Sequence, residues 1–122
     1  MTSPGEFGIE QAIRAVLEDE LGLMPLREWT IPGTAYRVDF YLPTQRVVIE
    51  HHGAMHDRPV FGRQAFEELR AADEAKREWL AKQGIKLVVL KQAHVNSEVR
   101  SSKLGKLAAL LRDGFDDEVV EI

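Results

Sequence analysis

Two short apolar runs, residues 46–52 and 85–91, flank a long helical stretch, and this arrangement limits the fold more than any other feature of the chain. Both runs are rich in β-branched residues, with Val47-Val48-Ile49 in one and Val88-Val89 in the other, and read as strands of a well-buried sheet. The helical pattern runs from about residue 63 to about residue 83, and Gly84 suits its stop. Strand–helix–strand of this kind is a crossover unit that joins parallel strands.

The remaining segments build around that unit. Ser3, Pro4 and Glu6 form a helix-start signature, with an N-cap, a proline at the first helical position and a capping box. Ile9, Ile13, Val16 and Leu17 continue it as an apolar stripe, and Gly22 suits its end. Residues 26–31 read as a short strand closed by Pro32-Gly33. Across 35–42 the pattern alternates, with Tyr36, Val38, Phe40 and Leu42 on one side and Ala35, Arg37, Asp39 and Tyr41 on the other. Residues 53–62 read as an irregular loop and 96–112 as a last helix. The predicted fold is α/β: a mixed four-stranded sheet flanked by helices, in the order αβββαβ plus a C-terminal helix. It forms one domain over 1–112, followed by an acidic tail over 113–122.

Composition narrows the function classes. The chain has no cysteine, which excludes disulfides, thiolate zinc sites and a thiol nucleophile. No apolar run approaches the length of a membrane span, and no secretory signal is evident, so a cytoplasmic location and no membrane partner are expected. Net charge is −4, which counts against a nucleic-acid partner. Part of the deficit sits in the tail, where Asp113, Asp116, Asp117, Glu118 and Glu121 crowd together; without the tail the remainder is close to neutral.

Several residues can carry chemistry. Glu50 and His52 share a strand face by the two-residue period. A hairpin would set Asp39 beside Glu50, and two carboxylates that close repel unless a cation lies between them. Hard oxygen ligands on rigid strands favour Mg²⁺, or Mn²⁺, and the His51 carbonyl would face the same place. His52 could then handle the proton of an attacking water. Strand carboxylates are more often simply solvated, but Glu50 follows an interior run, where a charge needs a partner. The clustered His51, His52 and His56 raise a zinc alternative, weakened because His51 and His52 point to opposite faces. On the long helix, Phe66, Leu69, Asp73, Lys76 and Leu80 fall on one face. The two charges either pair with each other or look into a polar site at the sheet. Lys91 ends the last strand and could reach a phosphate, or is solvated there.

In combination these segments resemble the PD-(D/E)XK, or restriction-endonuclease-like, superfamily, and within it the Vsr-like group that includes the EDxHD endonucleases. The similarity spans roughly residues 3–95: the opening helix with Glu6, the strand Arg37-Val38-Asp39-Phe40, the strand Val48-Ile49-Glu50-His51-His52-Gly53, His56, and the helix beginning Asp73-Glu74-Ala75-Lys76. The resemblance implies Glu6, Asp39, His56 and Asp73 as the E, D, H and D of that set. It also implies a metal-dependent DNA endonuclease, with Asp39, Glu50 and the His51 carbonyl on Mg²⁺. Arg37, Arg58, Arg63, Lys76 and Lys91 would balance the charge of DNA. A homodimer or a larger partner would supply sequence recognition. Two departures stand out: no proline precedes the Asp39 strand motif, and His52 occupies the place of the usual lysine, which His52 or Lys91 would replace. The alternative is an inactive nuclease-like module for DNA binding or assembly.

Overall fold

The computed structural model describes residues 4–53, 62–93 and 95–122, with side chains from residue 8 onward. The elements are α1 (Pro4–Ala15), a π-helical turn (Val16–Glu20), β1 (Leu26–Thr30), β2 (Arg37–Leu42), β3 (Val47–His52), α2 (Arg63–Lys82), β4 (Lys86–Lys91), α3 (Ser97–Asp113) and β5 (Val119–Glu121). The strands form one sheet in the order β1-β2-β3-β4-β5. The first three pair antiparallel, and β4 pairs in parallel with both β3 and β5, so the sheet is mixed.

The crossover unit forms as its pattern predicts. β3 and β4 lie in register from Val47 opposite Lys86 to His52 opposite Lys91. Gly84 adopts φ +71°, a conformation glycine enters without steric cost, which lets α2 stop and the chain turn directly into β4. The Ser3–Glu6 capping box lies outside the described side chains, though α1 does start at Pro4. Asn96 caps α3, accepting a hydrogen bond from the Val99 amide at 2.8 Å.

Two apolar layers sandwich the sheet. On one face Ile9, Ile13 and Leu17 from the N-terminal helix, with Leu107 of α3, pack on Phe40, Leu42, Ile49 and Leu90. On the other, Leu80 of α2 packs on Val38, Tyr41, Val48, Leu87 and Val89. Leu80 is the fully buried side chain of α2. Among the described residues no helix is long and apolar enough to cross a membrane.

Two expectations need correction. The sheet has five strands, not four: Val119, Val120 and Glu121, within the predicted acidic tail, pair with Leu87, Val88 and Val89. The bonds Lys91 N–H to Ile122 O and Ile122 N–H to Val89 O satisfy the open edge of β4. The expected alternation of β2 also fails. Val38 packs with Tyr41 on the α2 face, while Phe40 and Leu42 face α1 and α3. The β2–β3 pairing ends at Phe40 opposite Ile49, and beyond it the Asp39 carboxylate takes the His51 amide at 2.9 Å. Opposite, Glu28 of β1 adopts φ +45°. A side-chain acceptor thus replaces a ladder bond, and the two strands part beyond that point.

Candidate metal centre

Where β2 leaves β3, the strand β3 continues beside β4 and carries Glu50 and His52 toward α2. The two-residue period puts both on one face, and both are buried, at 6% and 4% exposure. From above, α2 contributes Asp73 and Lys76, one helical turn apart. Ligand atoms of Glu50, His52 and Asp73 all lie within 4.8 Å of one another, so the three can hold a metal ion. His52 Nε2 is 3.9 Å from Asp73 Oδ1.

The two charges on α2 turn to different partners. Lys76 Nζ donates to Glu50 Oε2 at 2.8 Å. Asp73 Oδ2 pairs with Arg77 Nε at 3.1 Å, one turn along the helix. The face of α2 therefore looks into a polar site. Glu50 Oε1 is buried and has no hydrogen-bond partner among the described residues. Burial pushes the Glu50 carboxyl above its usual range; the Lys76 ammonium opposes this, and the charges of Asp39 and Asp73 add to it. A buried carboxylate oxygen without a donor is costly, and a bound cation removes that cost.

The centre opens into a cleft of about 690 Å³ whose lining includes His52, Asp73, Arg70, Arg77, Lys91 and Glu121. Glu121 links two of its cations: Oε1 accepts from Arg77 Nη1 at 2.6 Å, and Oε2 lies 3.3 Å from Lys91 Nζ. The Arg77 hydrogen bond holds the Glu121 carboxyl below its usual range; partial burial opposes it, and Lys91 adds to the lowering.

The remaining expected site residues fall elsewhere. Asp39 lines a separate pocket with Glu10, Gln11, Arg27 and Glu28, although its charge still reaches Glu50. The side-chain cluster joins Glu50 to His52 and Asp73, and Asp39 is not a member of it. The ring of His51 accepts the Ala93 amide at 3.2 Å, so His51 and His52 serve different surroundings, as their alternation predicts. Arg37 pairs with Glu28, and Arg63 with Glu67, both at exposed positions. His56, Arg58 and the Glu6 side chain lie outside the described residues. Two contributors went unread in the sequence: Arg77, which follows Lys76 directly, and Glu121, whose only signal was membership of an acidic run.

The Asp39–His51 contact sets up a stability test. Asp39→Ala leaves the His51 amide without its acceptor and should cost about 1–3 kcal/mol in urea unfolding, whereas Asp39→Asn, which keeps an acceptor oxygen, should cost less. Equal losses from the two would show that the contact does not hold β2 to β3.

No family model matches the chain, and no curated protein matches it.

Proposed function

We propose that this protein is a divalent-metal-dependent endonuclease that hydrolyses DNA phosphodiester bonds on a restriction-endonuclease-like core. One observation carries the reading: Glu50, His52 and Asp73 converge within 4.8 Å at a cleft that also holds Arg77 and Lys91. Anionic ligands beside cations are what metal-assisted attack on a phosphodiester requires. The reading also draws on the element order, an antiparallel β1–β2–β3 run followed by a parallel β3–β4 crossover within a mixed five-stranded sheet.

The donor set fits a divalent cation, and the bare Glu50 Oε1 is its strongest structural argument. Two carboxylates and an imidazole suit Mn²⁺ at least as well as Mg²⁺, because imidazole nitrogen favours transition metals. When bound, such an ion supplies positive charge to a phosphate oxygen and lowers the pKa of a coordinated water. The chain's own groups prepare the site. Lys76 orients Glu50 and offsets its charge, and Arg77 does the same for Asp73. Lys76 thereby joins the two sequence candidates for the usual lysine's role, His52 in the cluster and Lys91 on the cleft wall, beside the acidic centre. Acid–base work falls to His52 or, as the resemblance implies, to His56. Lys91 and Arg77 attract the phosphate backbone. Selection of a DNA sequence falls to a second copy or a larger partner.

The test is cleavage of plasmid and short oligonucleotides with Mg²⁺, Mn²⁺ or EDTA, alongside thermal melting. Cutting that needs the metal supports the enzyme. A second reading, an inactive module for DNA binding or assembly, draws on the fact that both carboxylates already have protein cations. It is favoured if folded protein neither cuts nor melts higher with metal. For the enzyme, Mn²⁺ should raise the melting temperature more than Mg²⁺ at equal concentration, with about 2.7 kcal/mol of added stability at a hundredfold excess over Kd. His52→Leu should erase the difference between the two ions.

A further inference from the structure

Glu121 has no part in the metal chemistry, although it engages both cations assigned above to the phosphate backbone. One carboxylate bridges Arg77 on α2 and Lys91 at the end of β4, giving one oxygen to each. Both cations line the cleft that holds His52 and Asp73. The bridging carboxylate sits on β5, a three-residue edge strand held to β4 by backbone bonds. The Glu121 side chain is itself part of the cleft lining and is 38% exposed, so solvent and ligands reach it.

We propose that Arg77 and Lys91 form a phosphate subsite, for which Glu121 is a resident competitor. A phosphate group presents two oxygens on one centre, as a carboxylate does, and matches a guanidinium with an ammonium beside it. The backbone of β5 keeps the Glu121 carboxylate between the two cations while the cleft is empty of substrate, so they do not repel each other. An entering phosphate takes over both contacts, and the Glu121 side chain rotates toward solvent with the strand still in place. The net acidity of the chain is reconciled in this way with an anionic substrate: part of the acidic excess is a replaceable counter-charge. The phosphodiester as natural occupant rests on the nuclease reading; the subsite itself does not.

The experiment is titration of the whole chain in EDTA with inorganic phosphate, followed by amide shifts at residues 77, 91 and 121. A parallel titration uses a short DNA oligonucleotide without metal. Glu121→Gln should bind phosphate about tenfold more tightly than wild type, the competing ion pairs being lost. Adding Lys91→Met to that variant should abolish the gain. Unchanged or weaker phosphate binding by a folded Glu121→Gln protein overturns the proposal. Should Glu121→Gln fail to fold, Lys91→Met alone decides: weaker phosphate binding than wild type supports the subsite, and equal binding overturns it. Tighter binding of both phosphate and oligonucleotide supports a phosphodiester subsite. A gain confined to phosphate keeps the subsite and removes the DNA reading of its occupant. Absence of cleavage with a gain in both titrations removes the nuclease reading alone.

Discussion

Lys76→Met is expected to destabilise the metal-free protein by about 3 kcal/mol at neutral pH, because it leaves Glu50 charged, buried and without its cation. Two escapes limit the loss, and both have a signature. Glu50 can take up a proton. Its folded pKa already lies above the ordinary value of 4.5, so the folded state holds that proton more tightly than the unfolded chain. The contribution of Glu50 to stability is then fully present below 4.5 and is lost as pH rises through the raised folded value. Without Lys76 the folded value climbs further, and the window of loss extends to higher pH. The deficit of Lys76→Met should therefore shrink on acidification, in urea titrations run in EDTA. The second escape is Glu50→Gln added to Lys76→Met, which removes the charge and should restore most of the stability. A Lys76→Met protein within 0.5 kcal/mol of wild type at all pH values would falsify the buried pair.

Glu50→Gln should lower metal-dependent cleavage by about a hundredfold or more while leaving oligonucleotide binding in EDTA intact, since a neutral amide is a poor ligand but keeps the shape of the site. The substitution leaves the Lys76 ammonium, 14% exposed, without its counter-charge, so cleavage is compared on protein shown by melting to be folded. The informative comparison is Asp39→Asn. Asp39 lies outside the three-residue cluster and is engaged with the His51 amide, so its loss should cost less than a tenth as much activity as loss of Glu50. Equal losses would return the metal to the β2–β3 junction, where the sequence alone had placed it between Asp39 and Glu50. Activity in Glu50→Gln equal to wild type would remove the cluster from the chemistry altogether.

The contrast between those two aspartate and glutamate positions shows what the sequence carries. Glu50 and His52 could be placed on one face from the period of β3 alone, and Asp73 and Lys76 on one face from the helical repeat. Both periods are local properties. Which of those charges would meet depended on α2 lying over that side of the sheet, and no local pattern encodes this. Lys76 could pair with Asp73 on its own helix; instead it reaches Glu50, and Asp73 turns to Arg77 and His52. Asp39 misled for a related reason. Strict alternation assumes an unbroken ladder, and the ladder breaks where its own carboxylate accepts the His51 amide. β5 was hidden by composition: two valines between Glu118 and Glu121 look like a solvated tail, and become a strand only because the edge of β4 offers them partners. The crossover was legible because its strands, its helix and the stop at Gly84 are all written in contiguous residues.

The way α2 is attached has a further consequence. One leucine, Leu80 near its C-terminal end, is fully buried, and burial of such a side chain contributes about 1.5–3 kcal/mol. One turn before it the hold is ionic, through Lys76 to Glu50 and Arg77 to Glu121. Apolar and ionic anchors thus lie together in the last two turns of α2. Of the two pairs, the more exposed Arg77–Glu121 is the one that salt weakens, while the buried Lys76–Glu50 is screened much less. Asp73 and Lys76 lie in or beside that stretch, so a change that weakens the ionic hold displaces groups of the centre before it unfolds the sheet beneath them.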